Sequence, residues 1–345
     1  MVLMTISSPS PLVGEGRGGG TTLLITFDLG PRERGIVADA LGDAATPIYL
    51  SDLDAAGRFE ALQGATALLS RNTARELHPA EPAQIVSARL IQFVNAGIDF
   101  VPLNDLPANV PVASNGGAYA EPMAEHALAM TLAAAKRLLV EHEALKRGEF
   151  NQHTRNRSLA GKVCGILGFG GIGVATARLM RAIGMRVHAI NRRGASEESV
   201  DWIGTPDRLD EMLAASDVLV VCTPLTPATH GILDARALGV MKDDAILVNL
   251  ARGEIIDEAA LFAHLQAHPR FVACIDAWWV EPVRHGTFRM DHPFLSLPNV
   301  IGSPHNSAQV PGTGAVGLRR AIANVRRALA GEPVRYLVGS EDRMG

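Results

Sequence analysis

Cysteine is scarce in this chain of 345 residues, with only Cys164, Cys222 and Cys274. Each lies in an apolar run, as expected of buried reduced thiols rather than disulfides, and this points to a cytoplasmic protein. No Cys/His cluster has the spacing of a zinc site, so no metal is expected. No apolar run approaches the roughly 20 residues needed to cross a bilayer, which argues against a membrane protein. The opening residues MVLMTISSPS lack a basic stretch followed by an apolar one, so no secretory signal is expected. A basic stripe is missing too. The 32 Lys and Arg are spread among 36 Asp and Glu, for a net charge of -4, and nucleic acid is not expected as a partner.

What is present is an ordinary globular composition, 47% hydrophobic and 20% charged, in a length that suggests two domains. Residues 1–20 include a Pro/Ser/Gly stretch without periodicity and read as a flexible tail. Strands are then expected at 22–28, 65–69, 90–94 and 110–113, alternating with helical pieces, which argues for a parallel sheet with covering helices. One long helix is expected from Glu121 to Arg147. Its first half is small and apolar almost all round, so it must be buried, in the core or against a second subunit. After residue 158 the alternation restarts. Strands are expected at 163–167, 186–190, 218–221, 245–249, 271–275 and 300–301, with helices at 171–183, 209–214 and 258–267. Continuous apolar strands are buried on both faces, so this second unit is a doubly wound α/β domain. A late helix at 315–330 follows the last strand.

The pattern G-x-G-x-x-G occurs twice. Gly14–Gly19 follows no strand and opens no helix, so its context is wrong. Gly168-Phe169-Gly170-Gly171-Ile172-Gly173 follows a strand and opens a helix. Its glycines allow a tight turn, close backbone approach to a pyrophosphate and close helix–strand packing. The helix N-terminus offers unpaired N–H groups to phosphate. A tight turn without a ligand is the alternative. About 20 residues on, where an acidic residue would read the ribose of NAD, the chain has Asn191-Arg192-Arg193. Asn191 can hydrogen-bond the ribose, and two arginines can pair with a 2′-phosphate. NADP(H) is therefore preferred, with NAD(H) as the alternative and solvated arginines as the bland reading.

Three further segments follow expected strands, where ligands gather in open α/β sheets. Arg252 in VNLARG could hold a carboxylate bidentately. His305 in SPHN could exchange a proton with a substrate oxygen. Glu281, in the segment that starts at Asp276, could orient the imidazole and stabilise its protonated form. Each also has a structural reading: a loop-capping arginine, a solvated glutamate before a proline, a turn histidine.

Together these runs resemble the D-isomer-specific 2-hydroxyacid dehydrogenase family, which includes glyoxylate/hydroxypyruvate reductases and phosphoglycerate dehydrogenases. The resemblance is densest from Asn115 to His305. It rests on Leu159–Gly173, on Cys222-Thr223-Pro224 through Thr229, on Val248–Asp257 and on the residues around His305. It implies that Arg252 binds the substrate carboxylate and carbonyl, that His305 is the acid/base, and that Glu281 tunes it. Asp276 would sit by the nicotinamide, and Cys222, Thr223 and Pro224 would line the cofactor cleft. Ser70-Arg71-Asn72-Thr73 matches a loop that contacts substrate in relatives, where backbone N–H groups could bind a carboxylate and Arg71 an anion. A surface arginine is the alternative. Asn95–Asp99 matches another family loop and reads as structural.

The implied architecture is two doubly wound parallel-sheet domains. A Rossmann cofactor domain (114–306) would join a flavodoxin-like discontinuous substrate domain (21–113 and 307–335). A homodimer through the cofactor domains is implied as well. The chain departs from many relatives in having Ala277-Trp278-Trp279 after Asp276; the indoles read as packing unless Trp279 lines the pocket. Glutamate rather than glutamine at 281 argues against formate as substrate. The expected activity is reduction of a small 2-oxo acid, glyoxylate or hydroxypyruvate, to the D-2-hydroxy acid. A phosphoglycerate-type dehydrogenase and a non-catalytic nucleotide-sensing corepressor are the alternatives.

Overall fold

Among the described residues, short runs of Leu, Ile, Val and Ala, too brief for stable helices, form twelve strands in two all-parallel sheets. This computed structural model describes residues 20–344. The stretch read as a tail, with its glycine motif at 14–19, lies outside the described residues except for Gly20.

The first sheet contains β1 (Thr22–Ile25), β2 (Thr46–Tyr49), β3 (Ala67–Ser70), β4 (Ile91–Phe93) and β5 (Val112–Ala113). Their order is β2-β1-β3-β4-β5, the doubly wound order of flavodoxin-like sheets. The second contains β6 (Val163–Leu167), β7 (Arg186–Ile190), β8 (Trp202–Gly204), β9 (Val218–Val221), β10 (Ile246–Asn249), β11 (Val272–Ile275) and β12 (Val300–Gly302). Here the order is β12-β11-β10-β9-β6-β7-β8, which reverses direction between β6 and β9 as in dinucleotide-binding sheets.

Helices α1 (Pro31–Leu41), α2 (Ala55–Gly64) and α3 (Thr73–Glu76) belong to the first half. Next come α4 (Ala120–Ala135), α5 (Leu138–Lys146), α6 (Gly171–Ala182), α7 (Leu209–Ala215), α8 (Ala235–Val240) and α9 (Glu258–Ala267). The chain closes with α10 (Pro282–His285) and α11 (Thr313–Leu329). In α11, Leu318, Ala321, Ile322 and Val325 recur at helical spacing. They are buried against Leu23, Ile25 and Leu69 of the first sheet, so the late helix returns there. Burying such a Leu, Ile or Val contributes about 1.5–3 kcal/mol.

The second sheet follows the expected strands closely, because buried parallel strands are continuously apolar. Two strands are not among those expected. β2 and β8 are edge strands whose side chains are exposed or only partly covered, and β2 carries Pro47, which an edge tolerates.

The single helix expected over 121–147 is instead two. Arg137 takes a left-handed backbone (φ 54) and breaks the rod between α4 and α5. α4 buries Met123, Ala124, Ala127, Met130 and Ala134, packing on α6, β10 and β11. α5 does the opposite and leaves Leu138, Leu139 and Leu145 exposed, with Phe150 beyond it.

Candidate functional site

The carboxyl ends of both sheets open onto one cavity of about 1480 Å³. Its floor is the glycine turn between β6 and α6. Gly168 has φ 98, and a Cβ there would run into the backbone of Cys222 and Thr223. A Cβ on Gly173 would strike the carbonyl of Gly168, and one on Gly171 would strike Gly117 from the first half of the chain. A side chain at any of these glycines would force neighbouring backbone apart, and Gly168 and Gly171 leave bare backbone at the cavity wall. The first turn of α6, with Gly171 and Ile172, faces the same space as Thr223 and Pro224. The residues fit a nucleotide pyrophosphate.

At the end of β7 the arrangement is less simple than the sequence suggests. Asn191, Arg192 and Arg193 all line the cavity. Asn191, however, uses its amide locally: Oδ1 accepts from Arg193 N at 3.0 Å and Nδ2 donates to Ala195 O at 2.9 Å. It closes a turn with one donor and one acceptor of its amide, which leaves one N–H and one lone pair unused. Arg192 is paired with Asp342 at 2.6 Å. Arg193 has no carboxylate partner among the described residues.

At the other end lie Glu281 and His305. Glu281, next to the start of α10, accepts from His305 Nδ1 at 2.8 and 2.9 Å. It also accepts from Trp278 N at 2.6 Å. Because a carboxylate can only accept, the imidazole proton sits on Nδ1, leaving Nε2 to exchange protons with a ligand. Burial would raise the Glu281 carboxyl, but the hydrogen bond and charge of His305 outweigh it and hold it below its ordinary value. His305 itself has φ 50, a left-handed conformation that is uncommon for any residue other than glycine.

Arg252 enters from the loop after β10. Its Nε donates to Asp99 Oδ1 at 3.0 Å and its Nη1 to Ala251 O at 2.7 Å. Nη2 is left for a ligand carboxylate. Asp99 is only 4% exposed at its side chain and lies 3.5 Å from Arg284 Nε. Arg284 in turn pairs with Glu254 at 2.6 Å. A Cβ on Gly97 would collide with the Arg252 guanidinium, so Gly97 and Asp99 together fix that side chain. The Asn95–Asp99 loop, read from sequence as structural, is thus part of the site. Arg284 has no signal in the sequence, because an arginine on a four-residue helix looks like any solvated charge.

Asp276 lies away from the place by the nicotinamide that the resemblance implies. Asp276 is fully buried and does not line the cavity. It accepts from Ser303 Oγ at 2.5 Å and from the backbone N–H groups of Asn306 and Ser307, so it shapes the loop that carries His305. His126 of α4 joins it, with Nε2 3.0 Å from Ser303 Oγ. Trp278, not Trp279, faces the cavity; Trp279 stacks on Phe294 and donates its indole N–H to Ile256 O. Cys222 lines the cavity, and burial pushes its thiol up to about 12, so it is no nucleophile at neutral pH.

The Ser70–Asn72 loop departs most. None of Ser70, Arg71 and Asn72 lines the cavity. Their donors are already taken by Glu76: Asn72 N at 2.7 Å, Arg71 N at 3.1 Å and Ser70 Oγ at 2.5 Å. The Arg71 guanidinium stacks 4.3 Å from the centre of the Phe27 ring. The anion site expected there is filled from within. Sequence reasoning could have noticed Glu76 at the end of the loop, but not which way its carboxylate turns.

Among the described residues there is no helix long and apolar enough to cross a membrane. No cluster of three or more His, Cys, Asp or Glu that could hold a metal ion occurs there either.

Comparison with known proteins gives three kinds of likeness. The family model for "D-isomer specific 2-hydroxyacid dehydrogenase, NAD binding domain" matches residues 128–307. A D-3-phosphoglycerate dehydrogenase of Archaeoglobus fulgidus is 31% identical over 264 residues, 74% of this chain and 47% of that protein. The chain therefore spans about half the length of that relative. A hydroxypyruvate reductase of Thermotoga maritima is 32% identical over 201 residues, 58% of this chain and 63% of that one. Among solved structures, a D-isomer specific 2-hydroxyacid dehydrogenase from Xanthobacter autotrophicus Py2, in complex with NADPH and MES, is 25% identical with a TM-score of 0.75. That match covers 93% of this chain and 98% of the other.

Proposed function

The chain belongs to the D-isomer specific 2-hydroxyacid dehydrogenase family, and from that premise we propose that it reduces a small 2-oxo acid to the D-2-hydroxy acid with NAD(P)H. The observation that carries this reading is the pair His305–Glu281 facing the same cavity as Arg252 and the glycine turn. Arg252, immobilised by Asp99, holds the substrate carboxylate through Nη2 and orients the carbonyl. His305 gives its Nε2 proton to the carbonyl oxygen, and Glu281 stabilises the imidazole that does so. Bound along the glycine turn, a reduced nicotinamide dinucleotide supplies the hydride.

Glyoxylate and hydroxypyruvate are the substrates we favour. The Thermotoga relative is named a hydroxypyruvate reductase, and a phosphate clamp at Arg71 is disfavoured by the Glu76 carboxylate beside it. NADP(H) is the cofactor we favour over NAD(H). The end of β7 has two arginines and no carboxylate of its own, and the Xanthobacter structure contains NADPH. In this reading residues 21–113 with 307–335 form the substrate domain and 114–306 the dinucleotide domain. The exposed Leu138, Leu139, Leu145 and Phe150 support a homodimer, which light scattering would test. The three unpaired thiols support a cytoplasmic setting.

The test is the initial rate of NADPH and NADH oxidation with glyoxylate, hydroxypyruvate and phosphohydroxypyruvate. The expected result is turnover with one of the first two acceptors and a lower KM for NADPH. Turnover confined to the phosphorylated acceptor would replace the assignment by the phosphoglycerate-type one. Cofactor binding without turnover of any acceptor would leave the nucleotide-sensing alternative.

A further inference from the structure

The chain beyond α11 does not end its contacts at the first sheet. Asn324 of α11 holds both backbone groups of Arg335 at 2.9 Å. Leu337 then bridges Ala113 in the antiparallel sense, and Val338 N donates to Val112 O at 2.9 Å. Tyr336, at φ 56, lays its ring on Gly116 and brings its hydroxyl towards Gly171 in the glycine turn. The segment next crosses to the second sheet. Met344 packs against the core there, and Asp342 pairs with Arg192 at 2.6 Å. Glu341 lies 3.9 Å from the same guanidinium. Asp342 is the sheltered member, 17% exposed against 68% for Arg192. Both line the cavity, as does Arg193.

In a dinucleotide fold the end of the second strand decides between a 2′-hydroxyl and a 2′-phosphate: a carboxylate there favours the first, an arginine the second. This chain has arginines at that place, yet a carboxylate reaches it from 150 residues further along. We propose that Asp342 is a specificity-determining residue of the cofactor site, supplying from the C-terminal segment the carboxylate that the end of β7 lacks. A 2′-phosphate must displace Asp342 from Arg192 and bind beside its charge, whereas a 2′-hydroxyl brings no charge to repel. The C-terminal segment therefore restrains a preference for NADP(H) that Arg192 and Arg193 would otherwise make strong. The inference rests on reading this cleft as a nicotinamide dinucleotide site.

Calorimetric titration of NADPH and NADH into the full chain tests it, using wild type, Asp342→Asn, Arg192→Ala and the double variant. Asp342→Asn is expected to tighten NADPH about tenfold while NADH binding stays the same or weakens, because only NADPH places a charged 2′-phosphate beside Asp342. In the Arg192→Ala background the same substitution should change NADPH binding by less than about threefold, since the pair no longer exists. Glu341→Gln, farther from the guanidinium, should move the NADPH:NADH ratio less than Asp342→Asn. An unchanged ratio in Asp342→Asn, with wild type binding either cofactor, overturns the proposal. Wild type binding neither cofactor overturns the reading of the cleft itself, and the two failures are thereby distinct.

Discussion

Two loops of this protein follow central strands and present backbone N–H groups suited to an anion, and only one of them is open. After β6, Gly168–Ile172 lines the cavity; the N–H groups of Gly168 and Phe169 bond Ile190 O, and those at the start of α6 are left open. After β3, the loop Ser70–Asn72 gives its donors to Glu76 and turns Arg71 onto Phe27. Donor geometry at a strand end is thus common to both, and a binding site arises only where no side chain of the protein satisfies the donors first. Satisfied donors stabilise the fold; unsatisfied ones wait for a ligand.

The sharpest way to break this contrast is at the open loop. Gly168→Val puts a branched side chain at φ 98 against the backbone of Thr223, and saturable NADPH binding in a fluorescence titration should be lost. Retained binding would mean that the turn does not cradle the cofactor. Chemistry at the open side should follow the acid/base group. His305→Asn, which keeps a residue tolerant of the left-handed backbone, should lower kcat by about 100- to 10,000-fold with little change in cofactor affinity.

Glu281 sharpens the same point. If it orients the imidazole for proton transfer, Glu281→Gln should lower kcat more than it changes cofactor affinity, and an unchanged kcat would deny Glu281 its role. The same carboxylate makes stability depend on pH. The Glu281 carboxyl is lowered in the folded protein, so its contribution is complete above its unfolded value of about 4.3 and is lost as pH falls through the lower folded one. Acid unfolding of Glu281→Gln should be correspondingly less steep there.

At the closed loop the expected effects are smaller and of another kind. Glu76→Gln should cost about 1–3 kcal/mol of stability in a urea melt, the range for losing charged hydrogen bonds, with KM for the 2-oxo acid nearly constant. Arg71→Ala should change that KM by less than about twofold, as for an exposed side chain away from the ligand. A tenfold rise in KM in either variant would mean that the loop opens to substrate during turnover.

The same contrast explains how much was legible in the sequence. β6, β7 and β9 match the expected bounds to the residue: β6 and β9 are buried at every position, and β7 buries Val187, Ala189 and Ile190 around a partly covered His188. The edge strands β2 and β8 were invisible for want of that signal, and the break at Arg137 has neither Gly nor Pro to mark it. Arg252, Glu281 and His305 each follow a strand end, so the α/β pattern pointed to them, and the structure brings them to one cavity. What pattern could not supply was side-chain partnership over distance. Glu76 closing its own loop, Asp99 gripping Arg252 and Asp342 reaching Arg192 depend on how separate elements meet, not on local spacing.

The left-handed backbone of His305 has a consequence for descent as well as for catalysis. A position at φ 50 admits Gly, Asn or Asp without disturbing the loop and resists Val or Ile. Drift at this codon is therefore channelled towards residues that keep the fold and lose the proton donor. If the proposed function holds, such a descendant would keep the glycine turn that receives the cofactor and lose turnover. A reductase and a non-catalytic nucleotide binder would then stand one substitution apart on this scaffold.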